Sequence, residues 1–137
     1  MTIQKEIILP SMPEGFHLVT RLLEEQLPEL PDKGLVNFFL MHTSAALTIT
    51  ENADPSVRVD LNNYFRNKVP EGEKYFTHTA EGPDDMPAHI KSALLGVSVT
   101  IPVRQGRLQL GTWQGICLCE FRKYGGKRIV TATIFGE

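Results

Sequence analysis

Three histidines, His42, His78 and His89, stand where structural elements should end, with Glu81 and Asp85 close to the second and third in the chain. Imidazoles delivered from three element ends can fill three positions on a divalent metal, leaving the fourth to water. Such an ion polarises a substrate or lowers the pKa of its bound water. Glu51, Asp54, Asp84 and Asp85 are available to accept the outward ring N–H groups and so orient the imidazoles. Each residue also has a structural use. A histidine can be an ordinary hydrogen-bonded side chain, and Asp54 or Asp85 can cap a helix. Asp60 falls where it could join the Glu51–Asn52 group. The hydroxyls of Thr43 and Ser44 suit either a phosphate oxygen or a strand edge. Lys91 and Arg122 could form a phosphate-binding patch. Long-range spacing of this kind lacks the local force of H-E-x-x-H, and the chain has no P-loop and no dinucleotide fingerprint.

Bulk properties restrict the setting. The 137 residues, 42% hydrophobic and 22% charged, suit one domain with a core of its own. A net charge of -2 gives no general attraction to nucleic acid or to a membrane surface. No apolar run is long enough to span a bilayer, and no targeting segment is expected. Cys117 and Cys119 sit two apart on one face of an expected strand, which suits two reduced thiols in a cytoplasmic protein.

The elements that must position these groups follow from periodicity and punctuation. A strand is expected over Thr2–Leu9, and a helix over 15–28 from the spacing of Phe16, Val19, Leu22, Leu23 and Leu27, with Pro28 and Pro31 behind it. Leu35–Met41 reads as an apolar strand that delivers His42, and the run around Leu47 and Ile49 as another. Asp54-Pro55 announces a helix over 55–68. Gly82-Pro83-Asp84-Asp85 announces one over 87–95 that carries His89 in its first turn and ends at Gly96. Tyr75-Phe76-Thr77 could be a short strand ahead of His78. Ser98–Val103, Leu108–Leu110, Trp113–Phe121 and Arg128–Phe135 complete a strand-rich half, with Arg104-Gln105-Gly106-Arg107 as a hairpin turn. Trp113 reads as core or subunit contact. The expected fold class is α+β, a single-domain sandwich over residues 1–137 with mainly antiparallel sheet.

Three separated stretches, "HTSAALTITENADPSVRVDL", "HTAEGPDDMPAHIKSALLG" and "GRLQLGTWQGICLCEFR", resemble the YjbQ-like family, also named for a secondary thiamine-phosphate synthase activity. The resemblance covers nearly the whole chain. It implies a compact sandwich that assembles as a homotrimer, with a polar pocket near subunit contacts and a divalent metal, Zn or Mg, on His42, His78 and His89. It implies catalytic roles for Glu51, Asp54, Asp60 and Asp85, and substrate contacts from Thr43, Ser44, Asn52 and Gln114. The third stretch also matches through Gly111, Thr112, Trp113 and Glu120. The activity implied joins hydroxymethylpyrimidine diphosphate to thiazole phosphate, giving thiamine phosphate and diphosphate. A metal-dependent phosphate-ester hydrolase and a metal or metabolite binding protein without turnover are the alternatives that the same residues allow.

Overall fold

The computed structural model describes residues 1–137. Eight strands and three helices follow one another as β1 (Thr2–Leu9), β2 (Gly15–Leu18), α1 (Thr20–Gln26), β3 (Lys33–Leu40), β4 (Ala45–Glu51), α2 (Pro55–Lys68), α3 (Asp85–Leu95), β5 (Ser98–Arg104), β6 (Arg107–Leu108), β7 (Gln114–Glu120) and β8 (Arg128–Gly136). They form a five-stranded sheet in the order β1-β8-β3-β5-β6 and a three-stranded sheet in the order β2-β7-β4. Every pairing is antiparallel.

Alternation along the strands explains the layers. In β3 the residues Val36, Phe38 and Leu40 point inward, as do Val130, Ala132 and Ile134 of β8, and they meet Leu47, Ile116 and Leu118 of the smaller sheet in one buried cluster. The smaller sheet is buried on its second face too. There Ala46, Cys117, Cys119 and Phe121 pack with Ala88 of α3 and with Leu61 and Phe65 of α2. Burial on both faces is why β7 reads as the unbroken apolar run Ile116-Cys117-Leu118-Cys119. The two cysteines are free thiols on the helix-covered face. Their mutual contact and their burial push the Cys119 thiol well above its ordinary pKa, so it stays protonated and a poor metal ligand.

The outer face of the five-stranded sheet carries no helix. Leu35, Phe39 and Phe135 are exposed on it, flanking a polar centre where Asn37 donates to the Ser98 and Thr100 hydroxyls. At one end Gly34 pairs with Gly136, and a Cβ on Gly34 would lie 2.0 Å from the Phe135 carbonyl oxygen. No helix is long and apolar enough to cross a membrane.

The helix expected over 15–28 is corrected to a strand, Gly15–Leu18, followed by a short helix, Thr20–Gln26. Phe16 faces the helix-side cluster and Val19 and Leu23 the inter-sheet core, so one stripe on the sequence serves two layers. Pairing with β7 then satisfies the backbone of residues 15–18. His17 consequently lies on a strand, against the Pro13 carbonyl at 2.7 Å. The helix stops at Leu27, which is extended as the residue before a proline must be. Helix α2 spans 55–68 as expected, with Asp54 accepting from the Ser56 N–H at 2.9 Å. Helix α3 begins two residues earlier than expected. Tyr75-Phe76-Thr77 is irregular and forms no strand. Trp113 is largely exposed instead of lying in the core.

Candidate metal centre

Helix α3 places Asp85 and His89 four residues apart, on one face. Asp84 occupies the cap position, which corrects the reading of Asp85 as the cap. Asp85 is instead the first helical residue, with its side chain almost wholly buried. The irregular segment before the helix returns His78 to the same point. One oxygen, Asp85 Oδ2, lies 2.7 Å from His78 Nε2 and 3.1 Å from His89 Nε2. The ligand atoms of His78, Asp85 and His89 all lie within 4.8 Å of one another.

Hydrogen-bond chemistry makes this arrangement informative. His89 Nδ1 lies 2.8 Å from the Thr43 carbonyl oxygen, which can only accept, so Nδ1 carries the proton. In a neutral ring the Nε2 lone pair then points at a carboxylate oxygen. Two lone pairs at that separation repel unless a cation or a second ring proton lies between them. Meanwhile Arg122 Nη1 donates to Asp85 Oδ1 at 2.6 Å, which engages one carboxylate oxygen and leaves the other for the histidines. A tetrahedral ion with bonds of about 2.0–2.1 Å needs ligand atoms about 3.3 Å apart, and the two Asp85–histidine spacings, 2.7 and 3.1 Å, fall just short of that. The donor set therefore fits a divalent ion with a small expansion.

The surrounding charges favour an ionised Asp85. Burial acts to raise its pKa, but the His78 hydrogen bond and the charges of His89 and Arg122 outweigh it and hold the carboxyl below the ordinary aspartate range. Asp84 behaves alike: burial acts against ionisation, yet the Lys123 N–H and Arg122 keep its pKa low. Arg122 ties the loop together, reaching Asp84 Oδ2 at 3.0 Å and the Glu81 carbonyl at 3.0 Å besides Asp85. A cavity of about 330 Å³, bordered by Glu73, Phe76, His78, Thr79 and Met86, opens beside the cluster. That volume suits a small ligand.

His42 stands outside this group, and Asp85 takes the third place assigned to it. Its Nε2 accepts the Ile129 N–H at 2.8 Å, which ties the end of β3 to β8. Burial first, and Arg128 second, lower its pKa against an opposing pull from Glu120. Thr43 contributes its carbonyl to His89, while its side chain is exposed. Ser44 is occupied, since its hydroxyl and carbonyl both accept from Arg128. Arg128 is buried against Glu120, with Nε 2.8 Å from Oε1 and Nη2 2.5 Å from Oε2. This pair braces the 42–44 turn and, through it, the carbonyl that orients His89.

The remaining predicted residues gather elsewhere. Glu51 ends β4, whose seven residues span about 20 Å from the His89 side. Its carboxylate accepts from the Ala53 and Asp54 N–H groups. Asn52 donates to the Thr112 and Gln114 carbonyls, and Gln114 accepts from Gly111 N–H. Hydrogen bonds from Ser56 keep the Asp54 pKa low, as a cap requires. Asp60 is exposed on α2. Within one chain, then, Glu51, Asn52, Asp54 and Gln114 form a loop-fixing network at the far end of β4. Arg122 and the Thr43 carbonyl are additions that the sequence does not assign to the site. The phosphate patch expected of Arg122 with Lys91 is corrected too, because Arg122 is committed to the acidic residues. The signal available in the sequence is Asp85-x-x-x-His89, a one-face helical pair.

The two-sheet α+β sandwich and its cluster of two solvent-accessible imidazoles on the buried Asp85 carboxylate define a small domain with a candidate metal centre. Residues 5–137 match the family model described as UPF0047 protein YjbQ-like. The chain is 52% identical to the YjbQ protein of Salmonella typhimurium over 139 residues, covering all of both chains. Its identity to the Escherichia coli O157:H7 YjbQ protein is 49%, again over both full lengths. Among solved structures it resembles a conserved hypothetical protein of Thermus thermophilus, with a TM-score of 0.81 and 35% identity over 93% of this chain and 97% of that one. This chain belongs to the YjbQ-like family.

Proposed function

We propose that the protein is a metal-assisted enzyme acting on a small phosphorylated compound, with His78, Asp85 and His89 holding one divalent ion. The observation that supports this reading is the convergence of His78 Nε2 and His89 Nε2 on one Asp85 oxygen, with His89 Nδ1 held by the Thr43 carbonyl. Two imidazoles and one carboxylate favour Zn over Mg, which prefers oxygen ligands. When bound, the ion supplies Lewis acidity and charge stabilisation for a leaving phosphate or diphosphate group. The chain's own residues do the positioning. Arg122 holds Asp85 in place and ionised, Thr43 sets the His89 tautomer, and the cavity beside His78 seats the substrate.

The named activity we assign is thiamine-phosphate synthesis from hydroxymethylpyrimidine diphosphate and thiazole phosphate, in which the thiazole nitrogen attacks the pyrimidine methylene and diphosphate departs. Family membership supports it. Thr43 is the substrate contact we retain beside the centre, because its exposed side chain lies next to the carbonyl that fixes His89. Homotrimer assembly belongs to the same reading. The uncovered outer sheet face with Leu35, Phe39 and Phe135 supports it, and a second chain could bring the Glu51–Gln114 end to the metal centre. The two free cysteines agree with a reducing, cytoplasmic setting.

A metal-dependent phosphate-ester hydrolase is the second reading. It is favoured by a three-ligand set that leaves a position for water. Incubating the chain with both thiamine precursors, with and without added Zn or Mg, separates the two. Thiamine phosphate formed by wild type and lost in His89→Ala supports the synthase. His89-dependent phosphate release without coupling supports the hydrolase, and stoichiometric ligand binding without turnover defeats both.

A further inference from the structure

The cavity beside His78 has a wall of its own character. A turn closed by the Phe76 N–H on the Glu73 carbonyl at 3.1 Å places both residues on this wall, and Met86, in the first turn of α3, adds a second apolar surface. Tyr75 packs edge-on against Phe76, with ring centres 5.1 Å apart, and steadies that ring. No lysine or arginine lines the space. Glu73, half-buried, is its one carboxylate and takes no ion pair: the acids paired nearby are Asp84 and Asp85 with Arg122, and Glu14 with Arg66.

Such a lining suits a phosphate poorly. Backbone donors at the start of a helix ordinarily cradle an anion. Here Pro83 and Pro87 have no N–H, and the Asp85 and Ala88 N–H groups bond the Gly82 and Asp84 carbonyls. Arg122 donates to Asp84, Asp85 and the Glu81 carbonyl. The Glu81 carboxylate adds a further negative charge 3.9 Å from His78 Nε2. Before an ion binds, the free charges bordering the cavity are therefore negative, which repels a phosphate and attracts a cation. An aromatic ring and a thioether offer contact to a planar group, and the ring adds cation–π attraction.

We infer that this cavity selects the organic end of the substrate, a flat cationic nitrogen heterocycle whose N–H groups reach Glu73 and whose ring lies against Phe76 and Met86, while the phosphate end stays at the ion. Glu73 is then a specificity-determining residue. The inference deepens the metal-assisted reading and rests on it for the phosphate end alone. The preference of the cavity itself holds in metal-free protein.

The 4-aminopyridinium ion, planar and cationic at neutral pH, and phenyl phosphate, a ring of like size with the opposite charge, are the probes. Each is titrated into the full chain in the presence of a chelator and followed by calorimetry. Wild type should bind the cation saturably, more weakly as salt rises, and roughly tenfold or more tightly than phenyl phosphate. Glu73→Gln, which removes the charge at nearly constant size, should weaken that binding about fivefold, the effect of one ion pair in a watery setting. Glu73→Asp should retain most of the affinity. His89→Ala should leave the cation titration unchanged, so that failure of the metal site is told apart from failure of the cavity. Absence of saturable cation binding into tens of millimolar overturns the inference. So does phenyl phosphate binding that matches the cation, or cation binding that Glu73→Gln leaves intact. Loss of cation binding in a folded His89→Ala overturns it too, because the histidines and not the cavity would then hold the probe.

Discussion

Replacing Arg128 by methionine should damage both the fold and the metal centre, in a ratio that the structure sets. Arg128 makes two bonds to the fully buried Glu120 and two to Ser44. Methionine fills much of the volume but leaves Glu120 with the Arg122 N–H as its remaining partner. Removing one member of a buried ion pair costs about 3–5 kcal/mol. At about 2.1 cal/mol/K per residue, unfolding a chain this long lowers the melting temperature by roughly 10–17 °C for that loss. The same change frees the turn that holds the Thr43 carbonyl against His89, so zinc affinity should fall by about 10–100-fold, as for other groups that orient a ligand. Chemical denaturation gives the stability change, and competition with a zinc chelator gives the affinity. Substituting Glu120→Leu as well should restore most of the stability, because no buried charge then stands alone, but should leave zinc affinity reduced. A loss below about 1 kcal/mol in Arg128→Met would refute the reasoning, since the pair would then be hydrated like an exposed one.

Other outcomes follow from the same geometry. Gly125→Ala should destabilise this ion pair, because its Cβ would lie 2.5 Å from Glu120 Oε1 and 2.7 Å from Arg128 Nη2, and melting curves should show a drop. His42, whose folded pKa is depressed below 6.5, should contribute stability that is full above pH 6.5 and lost as pH falls from there through its folded value. Protonation would remove the acceptor for the Ile129 N–H, so His42→Gln should show a shallower loss over that window in denaturation measured against pH. Asp85→Asn should abolish measurable zinc binding. It should also remove part of the acid sensitivity below about pH 4, because the depressed Asp85 pKa gives stability present above the ordinary aspartate value and lost as pH falls through the folded one.

Much of the fold is legible in the sequence because its signals are local. Asp54-Pro55 marks the start of α2 through a cap and a proline, and the β3 and β8 alternation marks a sheet with one buried face. The segment 15–28 misleads because Phe16, Val19 and Leu23 serve two different layers, and a seven-residue helix presents too few turns to establish a period. At the site, His78 and His89 are legible as polar residues at element ends. The replacement of His42 by Asp85 is not, since it depends on the Ile129 N–H, a backbone group 87 residues away. Glu51, Asn52, Asp54 and Gln114 look chemical on the sequence, yet in the folded chain they satisfy loop backbone groups.

The central claim is that His78, Asp85 and His89 form one metal site, and direct titration of zinc into metal-free protein tests it. Calorimetry should show one equivalent bound per chain. The affinity should collapse in His78→Ala and in His89→Ala but stay within a few-fold of wild type in His17→Ala, whose ring lies against Pro13. Failure of wild type to bind zinc or any other divalent transition metal, or binding that survives His89→Ala unchanged, would contradict the account.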